Sequence, residues 1–520
     1  MVPRHTELAT AKRWLNKCCD FHDCKARQEV ELPTRLLELG GPDSHIIRLV
    51  TPPRGTVGKY MALSCCWGRS VQFTATRDNV EELARGFHLA FLPATIRDAV
   101  LVTGGLGLRY LWVDALCIIQ GSDDTARRDW AIESARMAEV YSNAFCTVVA
   151  ASAAGSNEGI FFYRPAQYSS SLRPHILNTT IDVSKENQAG GSLTAHGRNA
   201  RDHTLRNCVS IMSLLRGFAD EPINRRAWAL QERLLSPRLL IYTWDHIFWH
   251  CDENLDASNG PDGVEWSHSM YKYRLRGDTV TQWDWEQIVE NYCSRSLTYS
   301  QDKLPALSGL ARRYQAANSK PDKYLAGLWE SHLPQHLLWV QFGDWYRAFV
   351  ANAENQRPSE YRAPSWSWAS IDGLVSYIHV RDIKYPSLYT LEVVSSHIEL
   401  EIDNSPFGRI KGGSLILCGR FKQAFMVMVS DVPQIFATEN KEFNIGSVFL
   451  DDESLQGRKL ADRHPIFCLL VVTGIYYRSL VLTDVVGRAG VYSRMGTCAS
   501  SDQDQKLWFQ NAPVETVTII

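Results

Sequence analysis

Three short apolar runs separated by two helix signals, all between Tyr60 and Ala151, constrain this chain more than any other feature. Tyr60-Met-Ala-Leu-Ser-Cys-Cys-Trp67-Gly68 is an apolar run closed by glycine and reads as a buried strand. Leu92 to Thr103 begins with Pro93 near a first turn and stops at Gly104-Gly105, the asymmetry of a helix. Arg109 to Asp114 reads as a second strand. Asp123 or Asp124 can cap a helix over Thr125 to Ser142. Phe145 to Ala151 is a third strand. Strand, helix, strand, helix, strand predicts right-handed crossovers and a mostly parallel α/β sheet.

The remainder is less regular. Residues 165–205 shift to Ser, Asn, Gly, Thr and His without periodicity, as a surface insertion would. Arg225 to Leu235 is helical in pattern, Leu239 to Thr243 and Ile247 to Cys251 are strand-like, and residues 300–350 read as mainly helical. After Gly373 short β-rich runs such as Ser414 to Cys418 and Ile466 to Val472 predict an antiparallel region. At roughly 150 residues per domain, 520 residues suggest about three domains. The expected layout is an N-terminal Cys/His segment (1–45), an α/β domain (46–240), a mainly helical region (241–375) and a β-rich region (376–520).

Lys and Arg total 55 against 57 Asp and Glu, so the formal net charge is −2 and nothing basic recruits nucleic acid or anionic lipid. No apolar stretch approaches the ~18 residues of a membrane span. Met1 to Lys17 carries Arg4, His5, Lys12, Arg13 and Lys17 and does not resemble a secretory signal. A cytoplasmic setting with reduced cysteines is therefore expected for its 13 Cys. The unusual count is 16 Trp, a large rigid surface to bury.

In open α/β sheets ligands sit at the carboxyl ends of the strands. Ser64, Trp67 and Gly68 end the first strand; Asp114, Cys117 and Gln120 end the second. Gly68 would let backbone approach a ligand, Trp67 could stack on a flat ring, and Asp114 could accept from a ribose hydroxyl. The structural alternative has Trp67 and Trp112 filling core while Asp114 caps the next turn. On the following helix Trp130, Met137 and Tyr141 form one stripe, and Glu133 lies about 40° from Met137, facing inward. An inward carboxylate is costly unless paired or functional; an i,i+3 pair with Arg136 is the ordinary alternative.

Three further groups draw attention. Cys18, Cys19, His22 and Cys24 offer thiolates and an imidazole, but the spacing is tighter than C-x₂₋₄-C and a second pair is missing. They are read as buried thiols packing Trp14, with no metal assigned. Cys65 and Cys66 follow a strand, yet no His or Asp partner can be assigned to a cysteine nucleophile. Arg54 to Lys59 lacks the spacing of a phosphate loop, and its lysine precedes a strand.

With these residues in view the chain resembles a fungal heterokaryon-incompatibility (HET) domain protein. The resemblance rests on Tyr60 to Gly68, Tyr110 to Gln120, Asp129-Trp130, Glu133, Met137, Tyr141 and Ala144. It continues through Arg226-Ala-Trp-Ala-Leu-Gln-Glu-Arg-Leu-Leu-Ser236, Leu304 to Gly309, Tyr324 to Trp329, Pro364-Ser-Trp-Ser-Trp-Ala369 and Val517 to Ile520. One departure is Cys65, where the family usually has Tyr or His.

The resemblance implies a TIR-like (flavodoxin-like) HET domain within an α+β chain, and a role in non-self recognition and regulated cell death. By the TIR analogy it implies NAD as a possible substrate, with Glu133 as the catalytic carboxylate beside Ser64, Trp67, Gly68 and Asp114. The Arg226 to Ser236 motif is expected to supply a structural buried ion pair, and Trp366 and Trp368 to share one face of an extended strand. Two other roles stay open: a non-catalytic module that forms homo-oligomers or joins other incompatibility proteins, and an enzyme or accessory factor of specialised metabolism.

Overall fold

Every residue of Tyr60–Ser64 is buried, the mark of a strand flanked by other strands and covered on both faces. Its surroundings are seen in a computed structural model. The structure describes residues 5–24, 29–41, 44–69, 73–161, 221–244, 246–258, 280–318, 320–341, 356–381, 383, 388–429, 432–438, 443–452, 464–473, 477–500 and 508–520. The predicted insertion at 165–205 lies outside them. Two units form: Met1–Arg225 with Leu235–Lys272, and Arg226–Leu234 with Tyr273–Ile520.

The first unit holds helices α1 (His5–Phe21), α2 (Ala94–Gly105) and α3 (Asp124–Asn143) and a nine-stranded sheet. Its strands are β1 (Leu36–Leu39), β2 (Ile46–Val50), β3 (Tyr60–Ser64), β4 (Phe87–His88), β5 (Tyr110–Trp112), β6 (Cys146–Ala150), β7 (Arg238–Tyr242), β8 (Ile247–Cys251) and β9 (Leu255–Ala257). The spatial order is β9-β8-β7-β6-β3-β5-β1-β2-β4. The predicted strands and helices between residues 60 and 151 are all present.

The expectation of a mostly parallel sheet is corrected. Pairs β3–β5, β3–β6 and β6–β7 are parallel, whereas β1, β2 and β4 on one flank and β8 and β9 on the other add antiparallel. Short hairpin loops make β1–β2, β7–β8 and β8–β9 antiparallel, whereas β1–β5 and β2–β4 pair strands far apart in the chain; parallel neighbours need a long crossover. The parallel centre has the chain order second-first-third-fourth, with β3 first.

α3 is capped by Asp123, whose carboxylate accepts from Thr125 and Ala126 N–H. Tyr141 Oη donates to the Leu63 carbonyl at 3.0 Å, and Tyr60 Oη donates to the Val140 carbonyl at 2.6 Å. At the other end Asp129 Oδ2 accepts from Arg35 at 2.5 Å and from the Ile119 N–H at 2.7 Å. These bonds fix the rotation of α3 against the sheet.

Helix Ala227–Leu235 is α4; up to Leu234 it belongs to the second unit, where Gln231 Oε1 accepts from the Gly309 N–H at 2.7 Å. Residues 300–341, expected to be mainly helical, hold one α-helix, Ser308–Ala317, among single 3₁₀ turns and two-residue strands. Nor are Trp366 and Trp368 on an extended strand: Trp368–Ser370 is a 3₁₀ turn capped by Ser367. Packing decides this. Trp368 Nε1 and Trp285 Nε1 both donate to the Gly327 carbonyl at 3.0 Å, and Trp339 Nε1 donates to the Trp366 carbonyl at 2.9 Å. Gly327 has φ +102°, and a Cβ there would lie 2.7 Å from the Trp368 ring, so only glycine fits.

The C-terminal strands β10 (Glu392–Leu400), β11 (Ile410–Val429), β12 (Val432–Phe436), β13 (Asn444–Leu450), β14 (His464–Val472), β15 (Tyr477–Val485), β16 (Arg488–Ser500) and β17 (Val514–Ile519) form one sheet. The ladder β11-β12-β13-β16-β15-β14 returns to β11 and closes, so these six strands are paired on both sides, while β10 pairs with β11 at the margin. Pairing is antiparallel as expected, with one short parallel contact between β16 and β17. The chain is α+β overall.

Candidate functional site

The carboxyl ends of the parallel strands bring most of the predicted residues together. Ser64 ends β3 and is buried, and Cys65 and Cys66 beyond it are buried too. Trp67, half-buried, donates from Nε1 to Asp114 Oδ2 at 2.9 Å. Asp114 opens the turn Asp114–Cys117, and its Oδ1 accepts from the Ala115 N–H at 2.8 Å. The loops after β3 and β5 are thus tied by an indole–carboxylate bond. Gln120 Nε2 donates to the Ile118 carbonyl at 3.0 Å, and Cys117 is buried with burial pushing its thiol up to about 12.

Gly68 is exposed with φ +78°, and a Cβ there would meet Gly155 Cα at 2.8 Å. The backbone that approaches it belongs to the protein: Ser156 N donates to the Trp67 carbonyl at 3.2 Å. That contact sits where the loops after β3 and β6 part, the position at which an order of second-first-third-fourth reverses direction. Thr95 and Asp98 on α2 hold the far side of the same loop, accepting from the Gly159 N–H at 3.1 Å and the Ile160 N–H at 2.9 Å. Burial raises the Asp98 carboxyl above its ordinary value.

Glu133 lies on the inner face of α3 with Ala126, Met137 and Tyr141 and is only 4% exposed. Arg136 is not its partner. Arg136 Nη1 donates to Thr34 Oγ1 at 2.7 Å, and its Nε lies 3.9 Å from Glu139. Glu133 makes no hydrogen bond or ion pair among the described residues. At 1.5 Å rise per residue it stands about 6 Å along the axis from Asp129 and about 12 Å from Tyr141. The Asp129 bond to Ile119, just after the β5 turn, places that half of α3 beside the carboxyl ends of the strands.

A second cluster is one that the sequence only half disclosed. Cys18 on the last turn of α1, His22, Cys24 and Cys251 at the end of β8 turn their ligand atoms to within 4.8 Å of one another. His22 Nδ1 is 3.3 Å from Cys251 Sγ. Cys19 is not in the group. Hydrogen bonding to Cys24 and Cys251 pushes the Cys18 thiol up, while hydrogen bonding from Cys18 pulls Cys251 down. Nothing in the local pattern of Ile247 to Cys251 announces its partners, because they lie more than 220 residues earlier.

A sheet with a parallel centre, crossover helices and loops gathered at the strand ends defines an α/β domain. Residues 60–232 match the family described as Heterokaryon incompatibility protein (HET), and the chain carries a HET domain over that range. No curated protein and no solved structure matches the chain. The domain relates the protein to heterokaryon incompatibility. No helix among the described residues is long and apolar enough to cross a membrane.

Proposed function

We propose that the HET domain is a TIR-like module of fungal non-self recognition and regulated cell death that cleaves NAD at the carboxyl ends of β3 and β5. One observation carries the reading: Glu133 is buried without a protein partner among the described residues, a costly placement that functional sites retain. The second-first-third-fourth order of β3, β5, β6 and β7 is that of flavodoxin-like sheets and supports the same reading. Ser64, Trp67, Gly68 and Asp114 line the proposed site. Trp67 offers a ring face, and Asp114, held by the indole, offers lone pairs to a ribose.

In the proposed reaction the bond between nicotinamide nitrogen and ribose C1′ breaks, and nicotinamide leaves with the bonding pair. The Glu133 carboxylate stabilises the oxocarbenium-like charge left on the ribose. Water adds at C1′ and releases its proton to solvent. Incubating the purified chain with NAD is expected to release nicotinamide, and Glu133→Gln to abolish the release. No release, or equal release by both proteins, overturns the proposal.

The Trp67–Asp114 bond and the Gly68–Gly155 contact favour a second reading, in which these residues only brace loops of a non-catalytic module. Such a module would act in the cytoplasm by homo-oligomerisation or by joining other incompatibility proteins. Sedimentation of the chain with and without NAD separates the two: assembly without turnover selects the module.

A further inference from the structure

We propose that Cys18, His22, Cys24 and Cys251 form a tetrahedral Cys₃His site for zinc that locks α1 to β8. The proposal is independent of NAD chemistry. Its residues come together for local reasons at both ends. The His22 N–H donates to the Cys18 carbonyl at 3.2 Å, continuing the helical turn, so the Cys18 and His22 side chains project from one face. Two residues beyond His22 the chain delivers Cys24. Cys251 is the last residue of β8 and lies directly across from Arg238 of β7 in the ladder.

The distances suit zinc. With Zn–S near 2.3 Å, the edges of a tetrahedron are about 3.8 Å between sulfurs and slightly less from sulfur to nitrogen. The four ligand atoms already lie within 4.8 Å of one another, with one edge at 3.3 Å. A contraction of well under an ångström per ligand completes the shell. Three sulfurs and an imidazole in tetrahedral array select zinc over the oxygen-seeking magnesium and calcium. All four positions come from protein, as in a structural site; none is left open for water or substrate.

The surroundings point the same way. Arg238 Nε donates to Cys18 Sγ at 3.1 Å, and the Asn254 N–H donates to Cys251 Sγ at 3.3 Å. Thiol sulfur is a weak acceptor, whereas metal-bound thiolate is a good one, and N–H···S bonds of this kind orient ligands. Zinc with three thiolates and a neutral imidazole has net charge −1. Arg238, itself buried, supplies the compensating charge. Cysteines 18, 24 and 251 are buried, and no disulfide occurs among the described residues. A thiol cluster that served only packing would not require an imidazole aimed at a sulfur.

The test uses the full chain, purified without a polyhistidine tag. Metal analysis is expected to find about one zinc per chain in the wild type and in Cys19→Ser, and under a tenth of that in Cys251→Ser. Because Cys251→Ser can fail to fold, the chelated wild type is also titrated with Co²⁺. The expected result is the intense visible absorption of tetrahedral cobalt together with a sulfur-to-cobalt charge-transfer band, both abolished by one equivalent of Zn²⁺. Wild-type protein without zinc that gives only the weak bands of octahedral cobalt would overturn the site. So would equal loss of zinc from Cys19→Ser and Cys251→Ser.

Discussion

Two buried carboxylates, one in each unit, are held in opposite ways. In the second unit Asp451, 1% exposed, is clamped by Arg494 through Nε at 2.9 Å and Nη2 at 3.0 Å. Arg494 also donates to the Leu337 and Trp339 carbonyls and lies 3.7 Å over the Trp339 ring. Each guanidinium nitrogen of Arg494 has a protein acceptor, and the β barrel is fastened to the Trp-rich segment of the same unit. In the first unit Glu133 is nearly as buried and meets no protein donor among the described residues. Matched charge holds a structure in one arrangement; unmatched charge is a cost that something other than folding must offset.

The largest expected effect follows from the matched side. Arg494→Met removes both short bonds to the Asp451 carboxylate and leaves it only Arg357 Nη2 at 3.4 Å, and denaturant unfolding should show a loss of about 3–5 kcal/mol. A loss below about 1 kcal/mol would mean that the clamp is not structural and would erase the contrast. The second unit also predicts a pH response. His332 is buried beside His336 and Tyr314, and burial holds its imidazole down to about 3. The unfolded chain takes up this proton near pH 6.5 and the folded chain does not, so stability falls as pH drops from 6.5 towards 3. Each unit of pH in that window removes up to about 1.4 kcal/mol. His332→Gln should flatten this slope in unfolding curves recorded between pH 7 and pH 4.

Gly68→Ala forces a side chain into positive φ and against Gly155, and should cost about 1–3 kcal/mol by thermal unfolding. An unchanged melting temperature would mean that the two loops are not in contact. The smallest stability effect belongs to Glu133→Gln. Removing a buried charge that meets no donor among the described residues should leave stability within about 1 kcal/mol or raise it, even as nicotinamide release is lost. A loss comparable to that of Arg494→Met would show that Glu133 has a structural partner, and the difference between the units would disappear.

Much of the first unit was legible because its information is local. The apolar runs at Tyr60, Arg109 and Phe145 are buried on both faces, and the spacing of Trp130, Met137 and Tyr141 places Glu133 on the inner side of α3. The antiparallel flanks were not legible. Whether Leu36–Leu39 or Ile247–Cys251 joins the sheet, and in which direction, depends on which edge is open once the parallel centre exists. Trp366 and Trp368 were misread because spacing of two suits a strand, while the pull of Gly327 and Trp339 bends the chain into a turn.

The thiol cluster divides the two sources of information most sharply. Sequence alone determined that Cys18, His22 and Cys24 lie close together and that residues 60–151 alternate strand with helix, because neighbours along the chain are neighbours in space. Only the tertiary structure brought Cys251 to them, exchanged it for Cys19, set the strand order and turned Arg136 away from Glu133 to Thr34. Those outcomes depend on contacts between residues far apart in the chain, chosen by the packing of whole elements, and no local pattern encodes them.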